Sequence, residues 1–209
     1  MNMHRVLSAF CFAAFGLVIL RSAPASAADG FDKLPGEQGK TSPLLMRIVQ
    51  YAGSTNGAIT VEVKNATSQP QEFSAKGIYF VPTASANEAP QRLGAVGPFQ
   101  LQSDNGTSQR MERTTIAPGT TARMTLDVYC IDSHRASPSS STSFRVAKDR
   151  VPKELMRAID DDANKSAAGY GGVSAPAAKG AVQSEVWKNR DKKWIKLEGE
   201  GAQEAGKSR

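Results

Sequence analysis

Hydrophobic and polar positions alternate with a period of two along the middle of the chain, which is typical of β-strands. The apolar run at 44–51 predicts a strand covered on both faces, whereas the clean alternation at 59–63 predicts a half-buried strand. Residues 77–81 and the short segment 144–146 predict two further strands. No helical period interrupts this region.

The sequence feature that most clearly predicts local structure is a turn at residues 117–120. Residues 113–116, the Ala-Pro-Gly-Thr turn at 117–120 and a long strand at 121–131 together predict a β-hairpin. Short strands separated by turns indicate an antiparallel sheet architecture. We therefore expect a mainly β protein, with an immunoglobulin-like antiparallel β-sandwich over residues 43–148.

Beyond the sandwich the pattern becomes helical, and we expect a small two-helix element over residues 149–197. Pro152 suits a first helical position, and apolar residues recur every four positions after it. A second helix is predicted at 176–187, with Val182 and Val186 on one face. From residue 188 two alternatives stay open, a turn followed by a short strand at 194–197 or a fraying helix end.

The two ends of the chain look different from its middle. Residues 1–27 have a short basic start, an apolar stretch and the small-residue site Ala25-Ser26-Ala27, as in a cleaved signal peptide. Residues 28–42 and the charged residues 198–209 are low in apolar content, so we expect a flexible entry segment and a disordered tail. The protein is therefore expected in the periplasm or at the cell surface of a bacterium.

Charge excludes some functions. The formal net charge is +6, but the leader supplies two basic residues, which leaves 24 basic against 20 acidic residues, or +4. That excess is too small to indicate a nucleic-acid-binding protein. No second long apolar run follows the leader, so no membrane span is expected after cleavage.

Cys130 is the only cysteine left once the leader is removed, so it has no intramolecular disulfide partner. In the predicted strand it shares a face with Met124, Leu126 and Val128, which indicates a buried and inert thiol. A catalytic thiol is the second interpretation, because His134 is the only histidine in the mature chain and follows four residues later. A nucleophilic cysteine needs such a base within hydrogen-bond reach.

Two short motifs give a third interpretation. Residues 129–132 read Tyr-Cys-Ile-Asp, and residues 182–187 read Val-Gln-Ser-Glu-Val-Trp. Together they resemble the paired motifs of thioester domains in bacterial surface adhesins. The resemblance implies that the Cys130 thiol and the Gln183 side chain condense to an internal thioester, which acylates an amine on another surface. Gln183 lies on the same helical face as Trp187 at a spacing of four residues, so it is expected to point inward.

Metal and cofactor chemistry has no support in the sequence. The acidic run 160–162 lies on consecutive helical positions, which point about 100° apart and do not converge on one ion. One cysteine and one histidine do not make a zinc site, and no phosphate-binding glycine loop occurs. We expect no cofactor and no metal, and a non-enzymatic module that binds a protein or an envelope ligand. The oligomeric state stays open.

Overall fold

The structure is a computed structural model that describes residues 30–37, 40–53, 56–84 and 89–200. The predicted signal peptide lies outside these residues, as do residues 201–209 of the predicted tail. The described chain is mainly β and ends in two helices, which confirms that part of the expected fold.

The strands come first along the chain and the helices follow. The strands are β1 (Asp32–Pro35), β2 (Thr41–Ala52), β3 (Ala58–Asn65), β4 (Gln71–Phe73), β5 (Tyr79–Pro82), β6 (Leu93–Ala95), β7 (Phe99–Gln102), β8 (Ser108–Met111), β9 (Thr114–Ile116), β10 (Thr121–Cys130) and β11 (Phe144–Val146). The helices are α1 (Lys153–Ala167) and α2 (Lys179–Lys192), with 3-10 turns at Ala168–Tyr170 and Pro176–Ala178.

In the described ranges, nine strands form one antiparallel sheet in the order β1-β2-β3-β10-β6-β5-β11, with β7 and β8 joined through β10. Strand β10 pairs with β3 along one edge and with both β7 and β6 along the other. Strand β11 at one end of this order contacts β1 and β2 at the other end, so the sheet curves back on itself almost into a barrel. Strands β4 and β9 form a separate two-stranded sheet.

Two hydrophobic cores lie on the two sides of β10. Alternate residues of the strand enter the interior of the curved sheet, as the period-two pattern predicted: Met124, Leu126, Val128 and Cys130. Tyr129 and the following Ile131 point the other way and pack against α1 and α2. The helices therefore share a core with the sheet and cover its outer face.

The predicted hairpin at 113–131 is wrong, although its turn is present. The amide of Thr120 donates to the carbonyl of Ala117, and Gly119 has a φ of 70°. Strand β9 pairs with β4 and β10 pairs with β3, so the turn carries the chain from the small sheet to the large one. Asn65 at the end of β3 donates to the carbonyl of Ile116 and, through its backbone, to that of Thr120. It thereby holds both sides of the turn.

The two segments expected to lack structure are partly ordered. Within the predicted entry segment, β1 pairs with β2, and Leu34 is buried in the sheet interior, while β2 itself begins at Thr41. In the predicted tail, a carboxylate oxygen of Glu198 accepts the amide of Lys148 at 2.7 Å. Composition missed both because it does not show which residues pair: β1 pairs with the strand that follows it, and Glu198 binds Lys148 from 50 positions away.

Both helices lie where the helical period placed them. Helix α1 begins directly after Pro152, and its predicted apolar face is buried, namely Leu155, Ile159 and Ala163. Helix α2 continues past Trp187 to Lys192, and none of the residues 194–197 is in a strand. The short strand at 194–197 is therefore wrong, and the helix ends five residues later than predicted.

The chain offers a matched test of the turn that links the two sheets. Asn65 and Asn105 each begin an Asn-X-Thr segment and accept the hydroxyl of the threonine two residues later, but Asn65 is buried and Asn105 is exposed. We expect Asn65→Ala to lower the free energy of unfolding by about 1–3 kcal/mol, because it leaves the buried carbonyl of Ile116 without this donor. Asn105→Ala should cost less than about 0.5 kcal/mol. Urea unfolding measures both, and equal losses would contradict the assigned role of Asn65.

Candidate functional site

Cys130 is the last residue of β10, at a place where the strand has a neighbour on one edge only. On that edge it is paired with Leu93 of β6. On the other edge, pairing with β3 ends at Asp127, and the amide of Val128 still reaches the carbonyl of Gly57 at 3.1 Å. The N–H and C=O of Cys130 point to the edge that β3 no longer covers.

The side chain of Gln183 takes the place of the missing strand. The amide of Cys130 donates to Oε1 of Gln183 at 2.9 Å, and Nε2 of Gln183 donates to the carbonyl of Cys130 at 2.7 Å. Both bonds are buried and join residues 53 positions apart. The structure therefore brings together the two residues that the motifs singled out, with the carboxamide bound to the backbone of the cysteine.

The site is closed to solvent. Cys130 is 0% exposed and Gln183 is 3% exposed. Burial raises the pKa of the Cys130 thiol to about 12, and the negative charge of Asp132 adds to this effect. The thiol is therefore protonated at neutral pH, which is the opposite of what a free nucleophilic cysteine requires.

His134 does not share this environment. Its side chain is exposed, and its ring centroid lies 5.6 Å from that of Trp194. The Cys130 side chain enters the interior of the sheet instead. The geometry gives no support to a catalytic pair of these two residues.

The motif tryptophan also has a defined partner. Trp187 is partly buried, and its indole N–H donates to Oε1 of Gln91 at 2.9 Å. Gln91 is buried two residues before the start of β6. The sequence did not indicate Gln91, because β6 has only three residues and is too short to show the alternation that predicts a strand.

A buried cluster of charges lies next to the thiol site and was also missed. Asp132 accepts the guanidinium of Arg92 through Nε at 2.7 Å and through Nη2 at 2.5 Å. Nε of Arg190 lies 3.8 Å from the same carboxylate, and its Nη2 donates to Glu200 at 3.2 Å. Two cations and two carboxylates thus balance one another out of contact with water, as buried charges must.

No family model, curated protein or solved structure matches this chain. Neither of the described helices is long and apolar enough to cross a bilayer. Among the residues that the structure describes, no three His, Cys, Asp or Glu side chains are grouped so as to hold a metal ion. The geometry around Cys130 and Gln183 is therefore the basis for a functional proposal.

The two hydrogen bonds of Gln183 can be tested with a titratable analogue. In Gln183→Glu, a carboxylate has no proton to donate to the Cys130 carbonyl, and burial raises its pKa. Protonation restores a donor, so the stability is fully present below the unfolded pKa of about 4.3 and is lost as pH rises through the folded pKa. At pH 7 we expect Gln183→Glu to be about 3–5 kcal/mol less stable than wild type.

Gln183→Ala is the control, because it removes both bonds without adding a titratable group. Urea unfolding at a series of pH values should show the gap between the two variants closing as the solution is acidified. A gap that is independent of pH would mean that the residue 183 side chain is not held against the Cys130 backbone.

Proposed function

We propose that this chain is an exported, non-enzymatic attachment module that forms an internal thioester between Sγ of Cys130 and Cδ of Gln183. The observation that carries the proposal is the pair of buried hydrogen bonds between the Gln183 carboxamide and the Cys130 backbone. The motif resemblance named these two residues, and they are in contact across 53 positions of sequence.

The reaction balances without a cofactor. Sγ of Cys130 attacks Cδ of Gln183, the bond from Cδ to Nε2 breaks, and the thiol proton leaves with the nitrogen as ammonia. A primary amine then attacks the same carbon and forms an amide with the Gln183 side chain, which returns the thiol to Cys130. Each molecule reacts once, so the chemistry is covalent attachment and not turnover.

Two features of the site support this chemistry. The Cys130 amide already donates to Oε1 of Gln183, the oxygen that becomes negatively charged when sulfur attacks, so it is placed to stabilise that charge. Burial excludes water, which protects an activated acyl group from hydrolysis.

The architectural part of the proposal is an immunoglobulin-like sandwich that serves as the scaffold. Its support is the position of the small sheet, since Phe73 of β4 and Ile116 of β9 are buried in the interior of the large sheet. The rings of Phe73 and Phe99 meet edge to face with centroids 5.2 Å apart. Two sheets that share one core are what a sandwich requires.

The partner in this proposal is a protein or an envelope component that presents a primary amine, outside the cytoplasm.

A reversible binding module is the second candidate function, and one cleft offers a place for a ligand. A cleft of 1210 Å³ opens beside β1, β11 and the start of α1. Its lining mixes cations and carboxylates, among them Lys33, Lys153, Asp32 and Glu154.

Intact mass of the purified mature protein tests the thioester directly. We expect a mass lower than that of the sequence by one ammonia, and a Cys130 that stays unlabelled by a thiol reagent even in denaturant. Addition of methylamine should add one methylamine to the protein and release one thiol. Both changes follow from nucleophilic attack on the acyl carbon.

Cys130→Ala and Gln183→Ala are the controls, and both should have the mass of their sequence. A wild-type protein of full sequence mass whose thiol is labelled in denaturant would contradict the thioester. That result would leave the reversible binding module as the function to pursue.

A further inference from the structure

Three of the side chains with which α2 contacts the sheet and the residues next to it lie in successive turns of the helix. Gln183 bonds the Cys130 backbone, Trp187 donates to Gln91, and Arg190 approaches Asp132. The spacing of four and then three residues keeps all three on one face of the helix. The last of these contacts is electrostatic and completely buried.

The partners of the first and last contact are close together in sequence. Cys130 and Asp132 are two residues apart, whereas Gln183 and Arg190 are seven residues, or two helical turns, apart. Both pairs must be satisfied together, so they fix how far α2 lies along its axis. A shift of one residue moves a helix by about 1.5 Å and turns it by about 100°, which separates Gln183 from the Cys130 backbone.

Apolar packing alone does not define that position. Val182 and Val186 are buried between α2 and its neighbours, but hydrophobic contact is non-directional. The charged contact has a fixed target, because Arg92 forms two hydrogen bonds with the Asp132 carboxylate and holds it 3.8 Å from Nε of Arg190. Arg190 is held in turn, since Glu200 accepts one of its N–H groups and its guanidinium lies 4.1 Å over the Trp194 ring.

We propose that Asp132 and Arg190 are positioning residues that set α2 so that the Gln183 carboxamide meets Cys130. The inference rests on the proposed thioester for its chemical consequence, while its structural content concerns the Gln183 contact itself. It gives a role to the aspartate of the first motif. It also adds a residue, Arg190, that lies outside both motifs.

The test uses Arg190→Lys and Asp132→Asn in the full mature chain. Lysine keeps the charge of Arg190 but lacks the planar fork of donors, and asparagine keeps the shape of Asp132 but lacks its charge. We expect both variants to fold and to show a fall of about tenfold or more in the thioester-to-thiol ratio after refolding, measured by intact mass. Val63→Ala in β3 is the control, because it lowers stability by a cavity away from the site and should keep the ratio.

Amide hydrogen exchange gives a second measurement that does not depend on the thioester. The N–H of Cys130 donates to Gln183 and the N–H of Val128 on the same strand edge donates to Gly57, so Val128 is an internal reference. We expect the exchange rate of Cys130 relative to Val128 to rise about tenfold in both variants and to stay constant in Val63→Ala.

The outcomes separate the two proposals. Wild-type protein without a thioester overturns the proposed function, and the exchange ratio then decides the positioning role by itself. An unchanged exchange ratio in a folded Arg190→Lys or Asp132→Asn variant overturns the positioning role, whatever the wild-type mass. If one of the two variants fails to fold, the other one decides.

Discussion

A buried backbone N–H and C=O must find hydrogen-bond partners, and at Cys130 the sheet provides none on one edge. Strand β3 ends its pairing before β10 does, so the last residue of β10 is left open where solvent is absent. The carboxamide of Gln183 has the same donor and acceptor as a peptide group and fills the gap. The position of α2 and the proposed chemistry both depend on this replacement of a strand by a side chain.

The same contact explains why the helices belong to the core of the protein. Strand β10 points alternate side chains into the sheet interior and toward the helices. Gln183 of α2 binds the end of this strand, where the two hydrophobic cores meet. A cluster of buried charges lies next to this contact and consists of Arg92, Asp132, Arg190 and Glu200. Glu200 lies in the segment that follows α2, so that segment is tied to the site as well.

Much of the scaffold could be predicted from local pattern. Period two placed Cys130 on the buried face of β10, and the helical period placed Gln183 and Trp187 on one face of α2. The pairing of strands could not be predicted in this way. The turn at 117–120 has the sequence of a hairpin turn. The strand that pairs with β10 is nevertheless β3, some 60 residues earlier, and not the neighbouring β9.

The residues around the site were missed for a related reason. Arg190 lies in a lysine-rich stretch and looks like a solvated cation. Its burial is possible only because Asp132 and Glu200 reach it from separate parts of the chain. The contact of Cys130 with Gln183 was suggested by motif resemblance alone, and no local pattern indicates that the glutamine binds backbone atoms.

The distance in sequence between Cys130 and Gln183 determines when during folding the two residues can meet. Closing a loop of this length costs conformational entropy, and the contact forms only when the last helix docks on a finished β10. In an unfolded or partly folded chain, the Cys130 thiol is therefore not next to the Gln183 carboxamide. If the proposed thioester forms, its formation reports that the last helix has docked, because only the folded chain places Gln183 against Cys130.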